Sequence, residues 1–233
     1  MQIFYTPDIL NDLTLPEEES GHCVRVLRLS EGSSILLTDG KGYFFEANIT
    51  HAHQKHCKVE IIRQWKQDKP WDFYIHIAIA PTKNMDRMEW FAEKATEIGI
   101  DEISCLNCQF SERKEIKTER LRKILVSAMK QSQKATLPLL NNGITDFKNF
   151  VQQPFNGRKF IAHCEKGEKP LIKEIYQKHE NALILIGPEG DFSPKEITLA
   201  LENGFEAISL GNSRLRTETA ALVACHTIHV LNQ

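Results

Sequence analysis

The chain has 233 residues, of which 41% are apolar and 26% are charged. This composition is too apolar for a disordered chain, and the length allows one large domain or two smaller ones. The formal net charge is 29 − 31 = −2, which gives no general reason to expect a polyanionic partner. No run approaches the roughly 18 apolar residues of a membrane span, and the first residues lack the order of a secretion signal. We therefore expect a cytoplasmic protein with no membrane partner.

The first 65 residues predict a small, mainly β unit with one helix. Ser34–Thr38 and Tyr43–Ile49 are β-prone runs, and the polar segment Asp39–Gly42 between them is a hairpin signal. Lys58–Ile62 can add a strand, and the helix is expected near Pro16–Leu29. A polar stretch then interrupts the pattern as a linker would, so we place the domain boundary after residue 69.

Beyond residue 70, short apolar runs alternate with amphipathic stretches of helical length. The run Phe73–Ala80 is continuous enough for a strand that is buried on both faces, and the helix after it is closed by Gly99. Further strands are predicted at Ile103–Leu106, Lys159–Cys164, Ala182–Ile186 and Phe205–Leu210. Such alternation predicts a mostly parallel sheet with helices on both sides.

Two loops near the end of the chain are candidates for a ligand site. The loop Gly187–Phe192 follows a strand and leads into a helix start, where Ser193 and Glu196 form a capping box. The loop Gly211–Arg216 follows the next strand, with Thr217 as the predicted N-cap of the last helix. Open α/β sheets bind ligands at the carboxyl ends of their strands, so we expect the loops to share a crevice. Turn formation without a ligand is the alternative.

Several cofactor classes lack their sequence signals. The chain has neither the glycine fingerprint of a dinucleotide site nor the P-loop pattern of a triphosphate site. The pair Cys105 and Cys108 has no second pair to complete a zinc site, and His51, His53 and His56 are expected on a surface loop. We predict no metal.

A basic helix is predicted over Thr118–Ala135. One of its faces is apolar, and four basic residues lie within about 80° on the other. Those four are Arg120, Lys123, Lys130 and Lys134. The wider segment 111–134 has eight basic and three acidic residues, an excess of 8 − 3 = +5. This favours a nucleic-acid footprint, with an ordinary solvated face as the alternative.

Four segments occur together in an order that characterises a known family. They are Glu93–Gly99, Lys130–Lys134, Gly187–Gly190 and Leu210–Ala220. With them the chain resembles the RsmE-type SPOUT methyltransferases, which methylate N3 of a uridine in 16S ribosomal RNA. The resemblance spans the whole chain, because His22, Val26–Arg28 and the Asp39–Gly42 hairpin are similar to the N-terminal PUA-like domain of that family.

The resemblance implies a fold, a cofactor and partners. The fold is α/β, with a small PUA-like β-barrel domain over residues 1–69 and a SPOUT domain with a trefoil knot over residues 70–233. S-adenosylmethionine is the implied methyl donor. The implied partners are 16S rRNA or the small ribosomal subunit, and a second copy of the chain in a homodimer.

The resemblance also implies site residues. Those expected to hold the donor are Cys164, Glu165, Ile186, Gly187, Pro188, Gly190, Leu210, Gly211, Leu215 and Thr219. Arg216 is expected to stabilise negative charge on the uracil oxygens, and Glu218 or a water molecule to take the N3 proton. Those expected to contact RNA are Arg25, Arg28, Arg113, Arg120, Lys123, Lys130, Gln131 and Lys134.

The sequence departs from the family pattern at three positions. Lys130 stands where a Glu is usual, Lys134 where an Arg is common, and Asp191 where a second glycine is expected. Two other functions stay open from the sequence. One is a related SPOUT enzyme that methylates the ribose 2′-oxygen, and the other is an RNA-binding module without catalytic activity.

Overall fold

The computed structural model describes residues 2–233, which divide into two compact units. Unit 1 contains the chain up to Pro70 together with Val126–Leu137. Unit 2 contains Trp71–Leu125 and Pro138–Gln233. The segment 126–137 thus belongs with the N-terminal residues, although it lies far beyond residue 69 in the sequence.

Unit 1 is built on one four-stranded sheet. Its strands are β1 (Ile3–Tyr5), β2 (Ser34–Thr38), β3 (Tyr43–His51) and β4 (Lys58–Lys66), in spatial order β1-β2-β3-β4. β1 is parallel to β2, and the other pairs are antiparallel. Phe4, Leu37 and Phe45 are fully buried in its core.

The helical segment of unit 1 is shorter than the sequence predicts. Helix α1 covers Glu17–Gly21 and continues into a π-helical turn over His22–Val26. The predicted extension to Leu29 is wrong, because Arg28 adopts a positive φ of 56° and breaks the helical path.

The hairpin between β2 and β3 holds the segment 126–137 in unit 1. The carbonyl oxygen of Ala135 accepts hydrogen bonds from Gly42 N at 2.9 Å and from Thr38 Oγ1 at 3.3 Å. Leu137 N donates to the carbonyl oxygen of Gly40 at 2.8 Å. The predicted hairpin is therefore present and also binds a distant part of the chain.

Unit 2 contains a six-stranded, fully parallel sheet. Its strands are β5 (Ile75–Ile79), β6 (Glu102–Asn107), β7 (Leu139–Asp146), β8 (Arg158–Ala162), β9 (Ala182–Ile186) and β10 (Glu206–Ile208). Their spatial order is β10-β8-β9-β5-β6-β7. This confirms the predicted α/β class with a small N-terminal sheet.

Helices cover both faces of this sheet. The helices of this unit are α2 (Met85–Ile98), α4 (Phe147–Val151), α5 (Ile172–Ile175), α6 (Pro194–Glu202) and α7 (Thr217–Leu231). Helix α3 (Thr118–Gln131) begins in unit 2, and its residues from Val126 onward belong to unit 1. α4 and α6 share a core with Leu106 and Leu185, while α7 packs on β5, β9 and α2. The capping box at the start of α6 is confirmed, since Ser193 N donates to Glu196 Oε2 at 2.8 Å.

Polar side chains at the amino edge of the sheet satisfy one another. His76 Nε2 lies 2.7 Å from Ser104 Oγ, and Tyr74 donates its hydroxyl to Glu102 Oε2 at 2.8 Å. Asn141 Nδ2 donates to Glu102 Oε1 at 2.7 Å and to Ser104 Oγ at 2.6 Å. Burial lowers the pKa of His76 to about 4, so its ring is neutral at pH 7.

Each helix in residues 2–233 is too short or too polar to cross a membrane.

Candidate functional site

The carboxyl ends of the central strands line up at one edge of the sheet. Ile186 at the end of β9 pairs with Ile79 of β5 and with Ala162 of β8, and Ala162 pairs with Ile208 of β10. The loops that follow these strands therefore meet at that edge. Two adjoining clefts of unit 2 lie there, which we call the large cleft and the arginine cleft.

The large cleft has a volume of about 800 Å³. Its walls come from the segments after β8 and β10, from Asp191 and from α7. Its lining residues are Ala162, His163, Cys164, Glu165, Lys166, Gly167, Lys169, Asp191, Ile208, Ser209, Leu210, Gly211, Asn212, Ser213, Arg214, Leu215 and Ala220. Two carboxylates and three basic side chains are among them, so the cleft can bind a ligand that carries both signs of charge.

Asp191 joins two of the loops around the large cleft. Its Oδ2 accepts a hydrogen bond from Cys164 N at 2.7 Å, and its Oδ1 accepts one from Phe192 N at 2.8 Å. Its φ is 67°, which is uncommon for a residue other than glycine. The residue that replaces the expected glycine thus keeps the backbone conformation of a glycine and adds a carboxylate that holds the loop after β8.

His163 presents an unsatisfied nitrogen in the large cleft. The residue is half-buried, and its Nδ1 is buried without a hydrogen-bond partner among the described residues. Burial lowers the pKa of His163, and the nearby charge of Lys169 lowers it further. Because most buried polar atoms have a partner, this nitrogen is a candidate contact for a ligand.

The arginine cleft has a volume of about 500 Å³. It is lined by Arg87, Trp90, Arg214, Leu215, Arg216, Glu218 and Thr219. Arg214 and Leu215 line both clefts, so the two are neighbours. A molecule in one cleft can therefore come close to a molecule in the other.

Glu218 is the buried acid of the arginine cleft. The residue is 6% exposed, and its Oε1 lies 3.8 Å from Arg87 Nε. Its Oε2 is buried and has no hydrogen-bond partner in the described part of the chain. The free lone pairs on this oxygen make Glu218 a possible proton acceptor.

The start of helix α7 differs from the prediction. Arg216 is the N-cap residue, without a side-chain cap, and Thr217 is the first helical residue. The predicted cap at Thr217 is wrong because the Thr217 hydroxyl is buried and donates to the carbonyl oxygen of Gly187 at 3.0 Å. This bond ties the start of α7 to the loop after β9.

The predicted donor residues fall into three groups. Those lining the large cleft are Cys164, Glu165, Leu210, Gly211 and Leu215, and Thr219 lines the arginine cleft with the predicted catalytic pair Arg216 and Glu218. Those in neither lining are Ile186, Gly187, Pro188 and Gly190. A Cβ on Gly190 would lie 3.1 Å from Phe110 Cβ, so this glycine leaves room for Phe110.

Most of the cations predicted to bind RNA have protein partners. Arg120 pairs with Glu89 at 2.5 Å, and Arg113 donates to the carbonyl oxygens of Thr82 at 3.2 Å and Lys83 at 2.7 Å. In unit 1, Lys130 Nζ lies 2.6 Å from Glu19 Oε1. Lys123 and Lys134 also interact with other groups, while Arg25, Arg28 and Gln131 are exposed. Acidic or backbone partners therefore compete with RNA for several of these cations, and their RNA contacts stay a prediction.

Sequence reasoning missed His163, Lys169 and Trp90. His163 directly follows β8, so its place after a buried strand is the signal that could have found it. Trp90 lies in the amphipathic helix α2, and nothing in the sequence distinguishes it from the other residues of that helix. In the structure it is 42% exposed and lines the arginine cleft. Within residues 2–233, no three His, Cys, Asp or Glu side chains form a group that could hold a metal ion.

Comparisons with known proteins agree with this architecture. A sequence profile for an RNA methyltransferase domain matches residues 69–229, and one for an RNA methyltransferase PUA domain matches residues 15–62. A solved structure described as a probable rRNA-methyltransferase from Porphyromonas gingivalis is 46% identical, with a TM-score of 0.94. That match covers 100% of this chain and 98% of the other.

Two further relatives have more specific names. Ribosomal RNA small subunit methyltransferase E from Neisseria gonorrhoeae was solved with bound S-adenosyl methionine. It is 27% identical with a TM-score of 0.86, covering 99% of this chain and 98% of that one. The protein of the same name from Rickettsia conorii is 28% identical over 94% of this chain and 90% of its own length.

Proposed function

This chain belongs to the RNA methyltransferase family, and we propose that it methylates ribosomal RNA of the small subunit at N3 of a uridine, with S-adenosylmethionine as donor. The names of its relatives support the small-subunit RNA and the donor. The choice of uridine N3 rests on the residues of the arginine cleft and on the sequence resemblance.

The large cleft suits S-adenosylmethionine. Its volume of about 800 Å³ lies within the usual range for small-molecule sites. Lys169 and Arg214 can bind the carboxylate of the donor's amino-acid part, and Asp191 or Glu165 can bind its ammonium group. His163 Nδ1 offers one further hydrogen bond to the bound donor.

The arginine cleft suits the uracil base. Uridine N3 carries a weakly acidic proton, which must leave before the nitrogen can be methylated. Glu218 Oε2 accepts this proton, and Arg216 stabilises the negative charge that spreads onto the uracil oxygens. When bound, S-adenosylmethionine supplies the methyl group on a sulfonium sulfur. Leu215, which lines both clefts, keeps the methyl group and N3 close together.

One observation carries this assignment. Glu218 keeps a buried carboxylate oxygen without a partner, beside Arg216, in a cleft that adjoins the large cleft. A buried unpaired acceptor costs free energy in the absence of a ligand, so its position at a cleft wall favours a role in accepting a proton from a bound ligand. We further propose the trefoil knot and the homodimer, for which the sequence resemblance is the support, and a cytoplasmic location, which the proposed ribosomal RNA substrate supports.

The test is a methyl-transfer assay with position analysis. Isolated small ribosomal subunits that lack the modification are incubated with the protein and isotope-labelled S-adenosylmethionine, and the RNA is digested to nucleosides for mass spectrometry. We expect the label in 3-methyluridine. Label on ribose would support the 2′-oxygen enzyme instead. The assay is repeated with naked 16S rRNA, and the absence of label from both substrates would contradict the proposal.

A further inference from the structure

A third cleft of unit 2 lies at the carboxyl ends of β6 and β7. Its volume is about 360 Å³, and Lys114, Lys148 and Lys195 line it. All three lysines are exposed, and no described residue forms a hydrogen bond or an ion pair with their ammonium groups. They come from three separate segments of the chain, so the fold alone brings them together. We call this the lysine cleft.

The carboxylates of the lysine cleft are held by backbone groups. Asp146 Oδ1 accepts from Asn149 N at the start of α4. Glu196 Oε1 accepts from Gln109 N at 2.7 Å, and Glu196 Oε2 accepts from Ser193 N at 2.8 Å. Both carboxylates therefore accept hydrogen bonds from backbone N–H groups near two helix starts. The lysine ammonium groups of the cleft remain available to a ligand.

Two further features of the lysine cleft favour a ligand. Asn107 lines it, and Asn107 Oδ1 is buried without a hydrogen-bond partner among the described residues. Phe110, next in sequence to the cleft residue Gln109, is 46% exposed and lies against Gly190 of the loop after β9. An exposed aromatic ring thus stands between the lysine cleft and the loop after β9.

We propose that the lysine cleft binds the backbone of the substrate RNA and that Phe110 stacks on one of its unpaired bases. Lysines bind phosphates, exposed aromatic rings stack on bases of single-stranded RNA, and a ribose hydroxyl can donate to Asn107 Oδ1. An acidic protein surface would use the lysines but would leave the ring and the amide oxygen without a role. This inference rests on the proposed function, because it takes RNA as the substrate.

Salt dependence tests the lysines. The full chain is titrated with transcribed 16S rRNA in filter-binding assays between about 50 and 200 mM salt. Replacing Lys148 and Lys195 together by Gln should make the negative slope of log K against log salt shallower by up to about 1.8. Adding Lys114→Gln should make it shallower by about 0.7 to 0.9 more. The matched control replaces Lys173 and Lys178, exposed lysines outside the cleft, by Gln and should keep the slope. An unchanged slope in the cleft variant, or an equal drop in the control, overturns the proposal.

Phe110 is tested by a different signature. Phe110→Ala should weaken RNA binding about fivefold or more without a change in slope, because stacking releases no counterions. Phe110→Trp should keep the affinity, and unchanged RNA affinity in Phe110→Ala refutes the stacking role. Calorimetry should give the same affinity for S-adenosylmethionine in all variants. The proposed function fails in a different way: the wild-type protein would then bind RNA but transfer no methyl group to it.

Discussion

The amino edge of the parallel sheet in unit 2 carries buried polar side chains that are paired with one another, whereas the carboxyl edge carries three buried atoms that are not. At the amino edge, Glu102 and Ser104 together satisfy Tyr74, His76 and Asn141. At the carboxyl edge, Asn107 Oδ1, His163 Nδ1 and Glu218 Oε2 are buried without a hydrogen-bond partner among the described residues.

The difference indicates that the ligand sites lie at the carboxyl edge. A buried polar atom without a partner costs about 1–3 kcal/mol. Where a region only stabilises the fold, its buried polar atoms are therefore expected to have partners. The three unpaired atoms lie in three different clefts, which we assign to the RNA backbone, the donor and the target base. The amino edge stabilises the fold, and the carboxyl edge gives up stability for binding and catalysis.

The largest expected effect concerns Arg216 at the carboxyl edge. Arg216→Ala should lower kcat on the order of 100-fold or more, the typical loss for one stabilising donor, while donor affinity stays the same. Arg216→Lys should recover part of the rate, since it keeps the charge but loses the planar fork. Single-turnover methyl transfer with saturating donor and RNA measures both variants. A rate within threefold of wild type in Arg216→Ala would point to Arg214 instead.

Two asparagines on neighbouring strands allow a matched comparison of the edges. Asn141→Leu should lower the free energy of unfolding by about 2 kcal/mol or more, because it removes two hydrogen bonds and leaves Glu102 with an unpaired oxygen. Asn107→Leu should cost less than about 0.5 kcal/mol, because its oxygen has no partner to lose. Urea unfolding measures both. Equal losses would remove the distinction between the edges.

Acid should destabilise the amino edge through His76. Burial lowers its pKa from 6.5 to about 4 in the native state, so the unfolded chain takes up the proton first as the pH falls. Stability contributed by the neutral ring is present above pH 6.5 and is lost between pH 6.5 and 4. From pH 7 to 5 the loss is on the order of 2 kcal/mol. His76→Gln should remove this part of the slope in urea titrations, and a wild-type slope in that variant would argue against the assignment.

The smallest effect concerns His163 and has two opposite parts. His163→Phe should raise the free energy of unfolding by up to about 1 kcal/mol, because it replaces an unsatisfied nitrogen with carbon. The same change should weaken donor binding about fivefold, the value of one hydrogen bond. Thermal unfolding and calorimetry measure the two parts. Loss of stability together with unchanged donor affinity would make His163 a structural residue.

Local patterns were sufficient to predict much of the fold. The apolar run Ala182–Ile186 forms β9 at its predicted bounds, and Ser193 and Glu196 form the predicted capping box. Both depend on neighbours in sequence, where propensity and capping rules apply. Thr217 shows the limit of these rules, because its buried hydroxyl finds the carbonyl of Gly187 instead of capping the helix.

Long-range pairing explains what the sequence could not predict. Lys130 looks like a free surface cation in sequence, but its partner Glu19 is 111 residues away. Arg120 and Glu89 are 31 residues apart, and their pairing is likewise not evident from the sequence. The lysine cleft was missed for a similar reason. Its three lysines are far apart in sequence and come together only in the folded chain.

The central claim is that the large cleft at the carboxyl edge binds S-adenosylmethionine, and hydrogen exchange of the full chain with and without the donor tests it most directly. We expect slower amide exchange in the segments 163–169, 187–191 and 209–215, and unchanged exchange in β4 and at the amino ends of β5 and β6. Protection confined to other segments, or no protection at donor concentrations that saturate binding, would contradict the account.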